Sequence, residues 1–248
     1  MTSPGRAFAV LNLFGEDHPV WHADEINDAL GYARATGYRY VKDLVEAGFL
    51  RKVSAGRYAL GARIIELDYQ LRRSDPLLVA AVPVMDDLVH KARLDAVLTT
   101  LFGAKVVDIH RASVDPTLQL SYGRGRPRPL FRGAAPKVIV AHLARPQLVK
   151  LYGVAATEAA ASGLGTDWPA FRTRMTEIRR DDFYWSRGEL EPRVSGAAVP
   201  LFNADGEVAA ALTLIGQTDA LERLGEAKLR TLLAKARDAI HARMRAQS

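Results

Sequence analysis

The chain has 248 residues, 48% hydrophobic and 25% charged, with a formal net charge of +6; that composition excludes a wholly disordered chain and allows one large domain or two modest ones. The absence of cysteine excludes disulfides, thiolate catalysis and every zinc site that needs Cys ligands, and it fits a reducing cytoplasm. The basic balance favours a polyanionic partner, but residues 1–73 hold ten Lys/Arg against nine Asp/Glu, so local clustering has to locate the contact.

Residues 6–16 carry Phe8, Val10, Leu11, Leu13 and Phe14 at helical spacing, which predicts a first amphipathic helix broken at His18-Pro19. A second short helix is expected over 22–30, with Ile26 and Leu30 on one face and Gly31 as a left-handed cap. A third runs from about Arg34 to Ala47 and stops at Gly48. Residues 49–60 predict a β-hairpin around Ser54-Ala55-Gly56. Three helices and a hairpin make a winged helix-turn-helix. A linker helix over 62–73 bears the apolar stripe Ile64, Ile65, Leu67 and Leu71. Ser74-Asp75-Pro76 restarts the chain with a helix over 76–92, and the domain boundary is placed there, dividing 1–73 from 74–248.

Beyond the boundary the pattern becomes α/β. Two strands flank Gly103-Ala104, a short strand is expected at 117–121, and GRGRPRPLFRG (123–133) is a loop. Helices are expected at 134–144, 146–152 and 168–181, and strands at 183–187, 194–202 and 207–215, the last two joined by a turn at 203–206. One helix from Asp219 closes the chain, with Leu229, Leu232, Leu233, Ala236 and Ile240 in a stripe. No run approaches the ~20 apolar residues that span a bilayer, so a soluble, cytoplasmic protein without a membrane partner is expected.

The third helix divides into two faces. Gly37, Val41, Leu44 and Gly48, with Tyr40 beside them, point inward; Arg34, Ala35, Tyr38, Arg39 and Lys42 point away, with Thr36 near the helix start. Arginines can read guanine edges bidentately or clamp phosphates, and Thr36 and Tyr38 can donate to phosphate oxygens. The hairpin adds Arg51, Lys52 and Arg57. Helix and hairpin thus hold six of the seven Lys/Arg in residues 1–60, while Asp24, Glu25 and Asp28 sit on the second helix. A near-neutral domain can in this way present one basic face to double-stranded DNA. A lone amphipathic basic helix is usually a solvated surface helix; the joint pattern is the specific signal.

ALGYARATGYRYVKDLVEAGFL resembles the helix-turn-helix of IclR-type transcriptional regulators, through Ala29, Leu30, Gly31, Thr36, Tyr38, Arg39, Leu44, Ala47 and Gly48. GRYALGARIIEL (56–67) is similar to that family's wing return strand and linker helix. PLFRGAAPKVIVAHL (129–143) and WSRGELEPRVSGAAVPLFNADGEVAAALTLIG (185–216) are similar to two segments of its C-terminal domain. The likeness extends from about residue 6 to residue 245. Departures are Gly37 in place of an apolar helix residue, at a cost of about 1 kcal/mol relative to Ala, Phe131 and Pro136 for His and Gly, and Arg193 for Gly.

The resemblance implies an α+β, two-domain fold: a winged helix-turn-helix joined by a linker helix to a GAF-like α/β effector domain. It implies a small-molecule pocket at Gly123, Arg126, Leu130, Phe131, Gly133, Ala134, Ser186, Glu189, Ser195 and Gly196, and a homodimer or dimer of dimers. Read from the residues, Phe131 and Leu130 offer apolar wall, Ser186 and Ser195 hydroxyls, and the start of the 134–144 helix backbone N–H groups for a carboxylate. Arg124, Arg126, Arg128 and Arg132 make the loop positive. They serve either an anionic effector, an organic or aromatic carboxylate, or, equally, solvent and a partner subunit. A small-molecule-metabolising α/β enzyme is the rival class. His22, His90, His110, His142 and His241 lack paired ligand spacing, and there is no G-x-S-x-G elbow or P-loop. No catalytic residue, metal site or cofactor is therefore assigned. A purely architectural DNA binder would not need the large second domain.

Overall fold

The computed structural model describes residues 2–115, 118 and 120–247, and for Ser3 the backbone alone. It falls into two compact units, Met1–Asp75 and Pro76–Ser248. They meet two residues beyond the boundary expected from the sequence.

The first unit runs α1 (Ser3–Leu11), β1 (Trp21–His22), α2 (Ala23–Leu30), α3 (Arg34–Glu46), β2 (Leu50–Ser54), β3 (Arg57–Leu60) and α4 (Arg63–Ser74). Val10, Ile26, Tyr40, Val41, Leu44 and Leu50 form its core. The first helix is shorter than the expected 6–16. Pro4 opens it in the first turn, and the chain leaves it after Leu11 because the Trp21 indole gathers the following loop, donating to the Leu13 and His18 carbonyls at 2.9 and 3.1 Å. Gly31 takes the left-handed conformation at φ 64° and ends α2. The hairpin gains an unforeseen third strand, giving the order β1-β3-β2. Unlike the others, α4 has no buried residue.

The second unit is built on α5 (Pro76–Ala92), β4 (Asp95–Phe102), β5 (Lys105–Ala112), β6 (Pro127–Arg128), α6 (Ala134–His142), α7 (Arg145–Ala161), α8 (Trp168–Asp181), β7 (Tyr184–Arg187), β8 (Val194–Phe202), β9 (Val208–Gln217), α9 (Thr218–Leu224) and α10 (Glu226–Arg245). These six strands form one sheet in the order β6-β5-β4-β9-β8-β7, with every neighbouring pair antiparallel. Strand alternation gives the sheet two covered faces. Leu98, Leu212, Leu214, Ala197, Val199 and Leu201 pack against α5 and α10. The opposite face receives α6, with α7 and α8 outside it, around Phe131, Ile139, Phe171 and Met175.

Four expectations change here. The seventh helix runs on through an alanine-rich segment to Ala161, kinked at Ala155. The C-terminal helix is two, because Gly225 at φ 74° breaks it. A two-residue strand, β6, interrupts the 123–133 loop. The strand expected at 117–121 falls in part outside the described residues, and its described residues form no strand. Among the described residues no helix is long and apolar enough to cross a membrane.

One histidine ties α10 to the sheet. The Phe202 amide donates to His241 Nε2 at 3.0 Å, so that nitrogen must keep its lone pair. Burial first, then the Arg237 charge, lowers the His241 pKa from 6.5. The unfolded chain therefore binds the extra proton more readily. This contribution to stability is whole above about pH 6.5 and is lost as the pH falls below it. Thermal melts between pH 8 and 5 should show a fall in Tm at the acid end that is smaller in His241→Gln, whose amide oxygen can still accept from Phe202. Identical pH profiles would rule this contribution out.

Candidate functional site

Two sites emerge, one in each unit. In the first, α2 and α3 cross on either side of the Gly31 turn. The His22 side chain caps α2, accepting from the Asp24 amide at 3.2 Å, while Glu25 reaches back to the His22 amide at 2.7 Å. The Ala23 amide donates to the Gly56 carbonyl at 3.0 Å, so the start of α2 is fastened to the wing tip.

α3 turns the expected residues in the expected directions. Gly37, Tyr40, Val41 and Leu44 are buried. Arg34, Ala35, Tyr38, Arg39 and Lys42 are exposed, with Thr36 half-buried. Asp24 of α2 holds the first turn in place: its carboxylate lies 3.3 Å from Arg34 Nε and accepts from the Tyr38 hydroxyl at 3.2 Å. Lys42 pairs loosely with Glu46 at 3.6 Å. The Arg39 guanidinium stacks 5.4 Å from the Tyr40 ring centroid and, among the described residues, meets no carboxylate. On the wing, Arg51, Lys52 and Arg57 are all exposed, Arg51 facing Ala59 and Lys52 facing Tyr58 across the β2–β3 register. The result is a basic face with its charge at Arg39 and the wing, flanked at the head of α3 by one carboxylate.

In the second unit a narrow cleft of about 20 Å³, room for about one water molecule, opens at one end of the α6-covered sheet face. Val97, Thr213 and Ile215 form its floor on β4 and β9; the head of α6 and the loops at 121–122 and 190–194 form its walls. Five of the ten residues expected there do line it: Gly133, Ala134, Ser186, Ser195 and Gly196. The other five do not. Phe131 is no wall: its ring is fully buried edge-on to Phe171, 5.4 Å between centroids, because the α6–α8 layer needs an aromatic there. Leu130 lies in the same core. Gly123 and Arg126 stand outside the lining, Arg126 donating to the Ser121 carbonyl at 3.3 Å.

Glu189 is a brace for the head of α6. Its carboxylate accepts from the Gly133 amide at 2.9 Å, from the buried Lys137 at 2.7 Å and from the Tyr184 hydroxyl at 3.0 Å. Glu158 does the same for the Phe131 amide at 2.9 Å.

The loop arginines separate too. Arg132 holds the Glu189 carbonyl and Arg124 the Ile109 carbonyl. Arg128 is buried. Its guanidinium pairs with Asp108 at 3.0 Å and lies 4.0 Å from the Tyr122 ring centroid. Thr99 also donates to Asp108, at 2.7 Å. Among the described residues Arg128 Nε nevertheless has no hydrogen-bond partner, nor has Thr213 Oγ1; both belong to residues that line the cleft. Burial pushes the Tyr122 hydroxyl up to about pKa 12, so it stays protonated. The serine hydroxyls are already engaged, Ser186 with the Gly196 carbonyl at 3.3 Å and Ser195 with Thr218 at 2.9 Å.

Tyr122, Glu191 and Thr213 were not foreseen, and Arg128 was expected only as one of four loop arginines, not as the buried partner of Asp108. One signal was available: Asp108 interrupts an apolar strand, KVVDIHRA, and a carboxylate there demands a buried partner.

The IclR helix-turn-helix domain family matches residues 3–54, and the bacterial transcriptional regulator IclR C-terminal family matches residues 71–242. The chain is 26% identical over 234 residues to the HTH-type transcriptional regulator KipR of Bacillus subtilis, covering 94% of this chain and 92% of that one. It is 27% identical over 246 residues to the Pca regulon regulatory protein of Pseudomonas putida, covering 97% and 84%. Its fold is similar to an IclR homolog from Microbacterium hydrocarbonoxydans crystallised with 4-hydroxybenzoate, with a TM-score of 0.75 at 22% identity, covering 99% of this chain and 100% of that one. The relatives are regulators and not enzymes, and the two family matches take in both units: the chain belongs to the IclR family, as a DNA-binding transcriptional regulator with a helix-turn-helix domain and an α/β effector domain.

Proposed function

We propose that residues 1–73 read an operator and residues 74–248 gate that reading by binding an organic anion, an aromatic carboxylate foremost. Arg34, Ala35, Thr36, Tyr38 and Arg39 face the major groove, and Lys42, Arg51, Lys52 and Arg57 hold the flanking phosphates.

One observation carries the effector reading: the unpartnered Nε of buried Arg128, beside the head of α6, in a residue lining the cleft. A buried donor without an acceptor costs roughly 1–3 kcal/mol, and a ligand oxygen would remove that cost. The first-turn amides of Ala134 and Ala135 have no partner within α6, and Pro136 has no N–H to offer, so the helix end adds donors and a favourable dipole. Gly133, Ser186, Ser195 and Gly196 shape the walls. The acid bound by the Microbacterium homolog is of this class.

The active form is a homodimer or a pair of dimers in the cytoplasm. Specific affinity normally draws on two half-sites. The exposed apolar side chains of α4, Ile65, Leu67 and Leu71, support self-association. Effector binding shifts the population between paired-wing arrangements.

Titration calorimetry against a panel of aromatic and aliphatic acids and their uncharged amides tests the effector class, with footprints on the DNA upstream of the gene as the functional readout. An acid should bind, its amide should not, and the acid should alter the footprint. Binding of the amides as tightly as the acids would overturn the anion reading.

A further inference from the structure

The charges on the cleft lining are unequal in their compensation. Arg128 and Glu191 are the charged residues among those that line it. The positive one is answered: Asp108 pairs with Arg128. The negative one is held by neutral groups, since Glu191 accepts from the Ser121 amide at 2.7 Å and the Ser121 hydroxyl at 2.9 Å. Both bonds fall on the same oxygen, Oε1; Oε2 takes neither of them, and Glu191 is one of the residues that line the cleft.

Glu191 is also fixed in place. It sits in the short connection between β7 and β8, where the Gly188 amide donates to the Val194 carbonyl and the Val194 amide to the Glu191 carbonyl, at 3.1 and 2.9 Å. Ser121, its partner, precedes Tyr122, whose ring lies against Arg128. Glu191 and Arg128, whose Nε has no acceptor among the described residues although its charge is met by Asp108, therefore line one enclosure. The cleft is narrow, so a ligand must part its walls to enter, and it then meets the Arg128 Nε and the α6 amides at one end and a carboxylate at the wall.

Resting on the reading that the cleft takes an organic anion, we propose that Glu191 is a specificity-determining residue: it selects effectors that carry a hydrogen-bond donor, a hydroxyl or amino group, besides a single carboxylate, and it rejects dicarboxylates. A donor on the ligand would meet Oε2 in a partly desolvated site, where a charge-assisted hydrogen bond is strong. A second carboxylate would face Glu191 with like charge, and like charges in contact are heavily penalised in such a site. Thr213 Oγ1, unpartnered on the floor, can serve the same ligand hydroxyl as donor or acceptor.

The test is calorimetry with a matched set, benzoate, 4-hydroxybenzoate and terephthalate, on the full-length protein and on Glu191→Gln and Glu191→Asp. The unmodified protein should prefer the hydroxy acid over both others by tenfold or more. Glu191→Gln keeps an oxygen for Ser121 but loses the charge; it should bind terephthalate at least tenfold better and the hydroxy acid worse. Glu191→Asp should keep the original order. Carboxylates that bind with the same ratios to the unmodified protein and Glu191→Gln overturn the role of Glu191 and leave the anion reading standing. Failure of every carboxylate to bind any of the three proteins overturns both.

Discussion

Arg39→Ala with Lys42→Ala should weaken operator binding by about a hundredfold while leaving the melting temperature unchanged. Both side chains are exposed on the outer face of α3, and neither contributes to the buried core around Tyr40, Val41 and Leu44. Among the described residues Arg39 pairs with no carboxylate, so its charge can go to DNA. Lys42 must give up Glu46 at 3.6 Å, but an exposed pair of that kind is worth at most about 1 kcal/mol. A bidentate arginine–guanine contact supplies about 1–3 kcal/mol of discrimination and a phosphate contact about one unit of salt slope. Fluorescence anisotropy on the footprinted fragment, across a salt series, separates the two. The double variant should lose affinity and flatten the salt dependence by one to two units. Lys52→Ala on the wing should flatten it by about one without relaxing sequence preference. A double variant that is folded and binds as tightly as the original protein would remove α3 from the interface.

The DNA-reading unit was legible because its signals are local. The inward set on α3, the left-handed Gly31 and the hairpin all lie within 35 residues and follow a 3.6- or 2-residue period. β1 escaped because two residues carry no period; Trp21 and His22 join the sheet by opposing Tyr58 and Arg57. The effector cleft was half legible. Gly133, Ala134, Ser186, Ser195 and Gly196 came from family likeness, whereas Glu191 meets Ser121 seventy positions away and Arg128 meets Asp108 twenty positions away. No periodicity encodes such pairs. Phe131 shows the limit of reading a side chain by type: an aromatic beside a predicted pocket was in fact needed by Phe171 on the far side of α6. The arginine-rich loop was only partly legible for a related reason. Net charge in a sequence does not say which guanidinium is solvated and which is buried against a carboxylate.

Gly37 was the residue of α3 that looked wrong, a glycine inside a helix where alanine would be worth about 1 kcal/mol more, and the structure supplies its reason. A Cβ at position 37 would fall 1.5 Å from Asn27 Oδ1 and 2.7 Å from Asn27 Cγ. Asn27 is buried on α2, and neither its side-chain oxygen nor its nitrogen has a hydrogen-bond partner among the described residues. The two positions are one solution: a carboxamide that occupies the space a side chain at 37 would need. Gly37→Ala should therefore be destabilising despite its better helix propensity. Overpacking costs typically 1–3 kcal/mol, and in a unit of this size each 1 kcal/mol moves Tm by about 4–8 °C. Because the strain lies at the α2–α3 crossing, DNA binding should weaken with it. Asn27→Ala in the same chain removes the obstruction and also removes a buried amide that costs about 1–3 kcal/mol unpaired. The double variant should then recover at least the original stability, giving a coupling energy above about 1 kcal/mol between the sites. Denaturant melts of the four proteins in this cycle decide the matter. Additive effects, or a Gly37→Ala protein as stable as its parent, would mean that Asn27 can swing clear and that the glycine answers to something else.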